Sequence, residues 1–228
     1  MGRAGGNHQV CRLRRKGDDV STSIALPRSP FVVALLALAL VLGTQSAASA
    51  TTQVSEATLG FSFSLPDHWQ PIPLNGADIR GLLDVATKAD PSLKSTLASE
   101  VKHAAQQGVK FFAVGPVTRQ SLPNVNIIGE SSAGVPTGNA FFRQGAQIKL
   151  QMTSSGFKNV KTRDVTLGFG KVIRASYQIT SALTARTVYG VQYYVLHKSH
   201  LFIVTTTAPS AAYATSIAHQ IGASWRWT

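Results

Sequence analysis

Two histidines flank a lysine and a serine in His197-Lys198-Ser199-His200, and the segment lies between two apolar runs rich in β-branched and aromatic residues. With Lys198 and Ser199 in a two-residue turn, the histidines become a directly opposed cross-strand pair. Their Cβ atoms are then about 5 Å apart, close enough to share a metal ion. Two imidazoles make a weak metal site by themselves, Lys198 adds repulsion, and no Cys, Asp or Glu stands nearby in sequence to complete the set. An exposed polar turn is therefore the expectation for His197 and His200, with no metal and no cofactor. His68, between Asp67 and Trp69, has the chemistry of a general acid or base. It also follows a strand-ending proline, Pro66, where histidine is ordinarily a turn residue. Ser131 in GESSAG resembles a nucleophile elbow only superficially, because Ala133 stands where the second glycine is required. Gly134, Gly138 and Gly145 are followed by no Lys-Ser or Lys-Thr, so no phosphate loop is formed. Trp225, Trp227, Tyr193 and Tyr194 fall in alternating strand positions, which points to core packing. No catalytic residue is assigned on these grounds, and the ligand-binding residues remain unknown at this level.

The elements that must carry these residues begin after a leader. Phe31 to Gly43 is an unbroken apolar run, about the length of a signal-peptide core and well short of the roughly 20 residues that span a bilayer. Arg12, Arg14, Arg15, Lys16 and Arg28 precede it, and Ala48-Ser49-Ala50 supplies a small-x-small cleavage pattern behind it. Residues 1–50 are thus expected to be an export signal cut between Ala50 and Thr51. Residues 51–228 then form the working domain, with no stable membrane span after cleavage. Asp18 and Asp19 interrupt the basic region, which fits a translation start at Val20. The single cysteine, Cys11, leaves with the signal, so the exported part has no disulfide, no thiolate nucleophile and no cysteine metal ligand.

The whole chain of 228 residues carries 22 Lys and Arg against 10 Asp and Glu, a formal net charge of +12. From Thr51 onward the count is 16 against 8, so the exported domain is itself basic, at +8. These charges are scattered singly. That describes a soluble surface drawn to anionic envelope material, and outside the cell nucleic acid is not the expected partner.

Leu59, Phe61, Phe63 and Leu65 alternate with small and polar residues, a strand with one buried face that Pro66 stops. Ile79, Leu82, Leu83 and Ala86, then Leu93, Leu97, Val101 and Ala104, fall at helical spacing on either side of Pro91. KFFAVG and NVNIIGE read as strands, and Thr137 to Met152 as one helix with Phe141, Gly145, Ile148 and Met152 on a stripe. From Val160 the period becomes two: VKTRDVTL, VIRASYQIT, VYGVQYYVL and LFIVTTT form an antiparallel meander whose last two strands are apolar on both faces and belong mid-sheet. Pro209 opens a helix that buries Ala214, Ile217, Ala218 and Ile221 and is closed by Gly222, ahead of a short aromatic strand. Grouped strands and helices predict an α+β domain, a largely antiparallel sheet covered by helices on both faces.

The opening GFSFSLPDHWQ and the closing YYVLHKSHLFIVTTTAPSAAYATSIAHQIGASWRW, with its strand, tight turn, strand, helix and terminal aromatic strand, resemble the PsbP-like fold. Within it they resemble the exported actinobacterial LpqN-type envelope proteins most. The resemblance implies an α/β/α sandwich and a binding or accessory role toward an envelope lipid, a wall polymer or an envelope protein. The chain departs from the lipoprotein members in having no cysteine at the cleavage site, which favours a secreted or wall-associated protein over a lipid-tethered one. An extracellular hydrolase is the rival reading.

Overall fold

The computed structural model describes residues 51–72, 108–116, 123–180 and 186–228. The expected leader and the two expected helices between Ile79 and Ala104 lie outside them.

A small sheet opens the domain. Strand β1 (Thr52–Glu56) turns through Ala57–Gly60 into β2 (Phe61–Leu65). Gly60, at φ 72°, closes the turn by donating its N–H to the Glu56 carbonyl at 2.9 Å. The FSFSL alternation puts Phe61, Phe63 and Leu65 wholly in the core. The third strand of this sheet comes from the other end of the chain: β10 (Arg226–Trp227) pairs with β2, and the Thr228 N–H reaches the Gly60 carbonyl at 3.0 Å.

The main sheet has seven strands: β3 (Gln70–Pro71), β4 (Val109–Val114), β5 (Asn124–Ser131), β6 (Lys158–Leu167), β7 (Gly170–Thr180), β8 (Thr187–His197) and β9 (His200–Ala208). They are ordered β3-β4-β5-β9-β8-β7-β6, and every pairing is antiparallel. The two strands expected mid-sheet, β8 and β9, sit there. A register shift between Val109 and Phe111 lets Val109 and Phe112 point to one face while Phe111 points to the other.

Helices α1 (Asn139–Phe142) and α2 (Gly145–Ser154) cover one face through Phe141, Ile148 and Met152, packing on Phe112, Ile173, Tyr177 and Ile203. Of the stripe expected from sequence, Phe141, Ile148 and Met152 are buried and Gly145 is partly so, but the single helix over Thr137 to Met152 must be corrected. The chain breaks at Arg143 and Gln144, where the Gln144 N–H bonds back to Phe141 at 2.9 Å in a tighter turn before α2 restarts at Gly145. Helix α2 ends in a Schellman motif. Gly156, at φ 90°, donates to Thr153, and the buried Phe157 donates to Met152 at 3.1 Å.

Helix α3 (Ala211–Ser224) and the small sheet share the opposite face. Ser210 caps α3 by accepting from the Tyr213 N–H at 3.2 Å, and Ala214, Ile217, Ala218 and Ile221 face inward as expected. Gly222 does not close the helix, which runs on to Ser224. A Cβ at Gly222 would meet Leu167 at 2.7 Å and Phe169 at 2.8 Å, so glycine is there for close approach. The molecule is thus an α+β sandwich with helices on both faces of an antiparallel sheet, as expected. The small second sheet was not anticipated.

Candidate functional site

The hairpin between β8 and β9 turns through Lys198 and Ser199, with Lys198 at φ 51°. Val195 pairs with Phe202, Tyr193 with Val204, Leu196 with Leu201 and Tyr194 with Ile203, and His197 and His200 are direct register partners. This is the register that a two-residue turn requires. The two rings are nevertheless engaged separately. His197 stacks on Trp227 with centroids 3.8 Å apart and planes 6° off parallel, while His200 tilts toward Phe202 and its Nδ1 lies 3.4 Å from Ser199 Oγ. Desolvation, helped by the Lys198 charge, pushes the His197 pKa below its ordinary value, so a neutral ring occupies the stack. Among the described residues, no group of three His, Cys, Asp or Glu side chains comes together around a point.

Ser131 is the register partner of His200, which extends the row to three adjacent strands. Its Oγ accepts from the Ala133 N–H at 3.3 Å as part of the loop after β5. His68 is exposed at φ 65° in the turn that the Trp69 N–H closes on the Pro66 carbonyl at 3.2 Å. The position is conformational: a side chain is held in the left-handed region at a cost of about 1 kcal/mol. His68→Gly is accordingly expected to raise stability by about 0.5 kcal/mol, the relief being partly offset by the freer unfolded chain. His68→Val is expected to lower it by about 1–2 kcal/mol, because a β-branched residue fits that region worst. Urea midpoints of the two variants check the opposite signs.

The side chains that stand out sit on the α1/α2 face of the sheet. Asn124, Asn126, Gln192, Thr205 and Thr207 are all buried, at 4%, 1%, 5%, 1% and 3% exposure. Asn126 opposes Thr205, which opposes Gln192; one pair further along, Asn124 opposes Thr207, which opposes Gly190. They form a polar patch across three central strands, beside an apolar core on the same face. The Tyr194 hydroxyl donates to Gln192 Oε1 at 2.8 Å and lies 3.8 Å from Met152 Sδ. The Tyr177 ring lies over Gly190, where a Cβ would approach it to 2.0 Å. Neither Asn126 Nδ2 nor Asn126 Oδ1 has a hydrogen-bond partner, and the Tyr177 hydroxyl has none either.

Burial holds the Tyr177 and Tyr194 phenols protonated far above their ordinary range. Among the described residues, the patch therefore offers uncharged donors and acceptors. Buried side chains of this kind can orient a polar group by hydrogen bonds. Sequence reasoning missed it, although the signal was present as polar letters at alternate positions of strands otherwise apolar on both faces: NVN, VQY and TTT.

Among the described residues, no helix is long and apolar enough to cross a membrane. No protein-family model matches the chain, and no curated protein does. The chain is similar to several solved structures. A Bacteroides thetaiotaomicron protein matches with 12% identity and a TM-score of 0.44, over 78% of this chain and 48% of the other, so the chain spans about half that protein's length. The cyanobacterial PsbP of Synechocystis matches with 11% identity and a TM-score of 0.44, over 83% of this chain and 99% of the other. LpqN of Mycobacterium tuberculosis, a protein involved in cell envelope biogenesis, matches with 11% identity and a TM-score of 0.40, over 78% of this chain and 85% of the other.

Proposed function

We propose that this is an exported, non-enzymatic binding or accessory protein of the cell envelope, engaging an anionic or amphiphilic envelope component or a partner protein. The observation that carries the reading is the buried, uncharged patch around Asn126 and Gln192, whose free amide and free phenol suit recognition and supply no catalytic group. The charge of +8 from Thr51 onward supports attraction to anionic wall or lipid material, and the leader supports export with Thr51 as the first residue of the mature protein.

The test separates attraction from recognition. Mature protein is incubated with cell-wall and lipid extracts at low and high salt, and what stays bound is identified by mass spectrometry. N-terminal sequencing of the secreted form should begin at Thr51. Salt is expected to remove the part of the retention that rests on scattered surface charge, and to leave the part that rests on burial. Nothing retained at either salt, together with turnover of a hydrolase substrate that is lost on changing His68 or His197, would replace this reading by the hydrolase.

A further inference from the structure

Among the described residues, the α3 face of the main sheet carries cations with nothing anionic beside them. Arg163 on β6 is the register partner of Arg174 on β7, and Arg174 stands opposite Tyr193 on β8. Residues in one such row share a face, and Tyr193 belongs to the core under α3. Lys161 lies two residues before Arg163 and points the same way, opposite Ser176.

Two arginines directly opposed across a ladder repel one another, and a carboxylate ordinarily stands between them or beside them. Here the nearby acid is on the wrong side. Asp164 alternates to the other face and pairs with Lys171 at 3.0 Å. Strand β7 and helix α3 contain no acidic residue at all. Among the described residues, neither arginine is in an ion pair.

The pair is also partly preorganised. Arg174, half-buried, donates from Nη2 to Thr215 Oγ1 on α3 at 3.1 Å, and while burial raises the Tyr193 phenol's pKa, the adjacent Arg174 works against that rise. Arg163 stays exposed with its guanidinium open. Planar guanidinium forks match phosphate oxygens two at a time, which a lysine ammonium cannot do. We propose that Arg163 and Arg174, with Lys161 at their side, form a binding site for a phosphate oxyanion, free or as an ester. The site deepens the envelope-binding reading and rests on it only for where the phosphate comes from.

Protein expressed from the full chain is followed by thermal unfolding in rising inorganic phosphate, against chloride of matched ionic strength. A saturable phosphate-dependent rise in Tm is expected for the wild type, since a ligand that binds the folded state stabilises it. In the Arg163→Gln/Arg174→Gln variant the affinity should fall about tenfold or more. Lys110→Gln/Lys149→Gln removes the same charge elsewhere and should keep the wild-type response. Arg163→Lys/Arg174→Lys keeps the charge and should lose most of the affinity. Arg163→Gln alone leaves every Arg174 bond in place, so it reports on the site even where the double variant unfolds.

A second arm measures sedimentation with phosphatidylcholine vesicles containing phosphatidylglycerol. Binding that depends on the arginine pair and is displaced by phosphate makes the lipid headgroup the source. Vesicle binding untouched by the variants, with the phosphate response lost, makes a soluble phosphate the source. Equal phosphate responses in the wild type and all variants would overturn the proposal while leaving salt-sensitive retention of envelope material standing. A pair-dependent phosphate response with no envelope retention would uphold the site and overturn the envelope reading.

Discussion

Trp225→Ala is expected to destabilise the domain by about 3–5 kcal/mol, a large share of the roughly 5–15 kcal/mol that holds a typical domain together. Trp225 is fully buried between the end of α3 and the start of β10. Its ring stacks on Phe61 at 4.3 Å and on Phe63 at 5.3 Å, and it leans on Phe169 at 4.7 Å and Trp227 at 5.4 Å. The side chain thereby ties the small sheet to the β6–β7 turn, and truncating it leaves a cavity among Phe61, Phe63, Phe169 and Trp227. The close backbone around it limits collapse. A Cβ at Gly168 would stand 2.5 Å from the Trp225 carbonyl oxygen, so the β6–β7 turn is already seated against this segment.

Trp225→Phe discriminates between loss of the stack and loss of volume. The indole Nε1 is buried without a hydrogen-bond partner, so phenylalanine removes an orphan donor while keeping a ring in place. Its cost should stay below about 1.5 kcal/mol. Urea unfolding followed by near-ultraviolet circular dichroism reads both values. Equal losses for Ala and Phe would mean that the aromatic stack contributes little.

Periodicity and turn chemistry made most of the main sheet legible. The alternation from Val160 to Thr207 predicts four antiparallel strands, and the two-residue turn at Lys198-Ser199 settles the register of β8 against β9 down to the facing histidines. What remained hidden depends on contacts between distant segments. Strand β10 is two residues long and pairs with β2 across most of the chain, so no local pattern announces the second sheet. Gly222 read as a helix stop because glycine often is one, whereas its role comes from Leu167 and Phe169 on another element. The polar patch needed the strand order β5-β9-β8 before Asn126, Thr205 and Gln192 could be seen side by side. The facing of Arg163 and Arg174 is counted from the two-residue Gly168-Phe169 turn that pairs Leu167 with Gly170, and it gains a meaning only once α3 is placed over that face of the sheet.

Asn126→Leu is expected to stabilise the protein while weakening its function. Asn126 is 1% exposed, and both polar atoms of its amide lack a partner, a state that costs about 1–3 kcal/mol relative to an apolar group of the same shape. Leucine has a similar shape and would face an environment that already holds Ile128 on the same strand face. A gain of about 1–2 kcal/mol follows, or a rise in Tm of roughly 2–8 °C for a domain of this size. On the proposed reading, this costly group trades stability for recognition. Retention of whatever the wild type holds at high salt should therefore fall in Asn126→Leu even as the Tm rises, because the lost donor and acceptor are those left free for a ligand. Asn126→Asp offers the complementary reading: it keeps the shape but buries a carboxyl, and is expected to lower stability increasingly as pH rises and ionisation is forced on a dry site. Loss of stability in Asn126→Leu with unchanged retention would show that the amide is bonded in the native protein and that the patch is part of the scaffold alone.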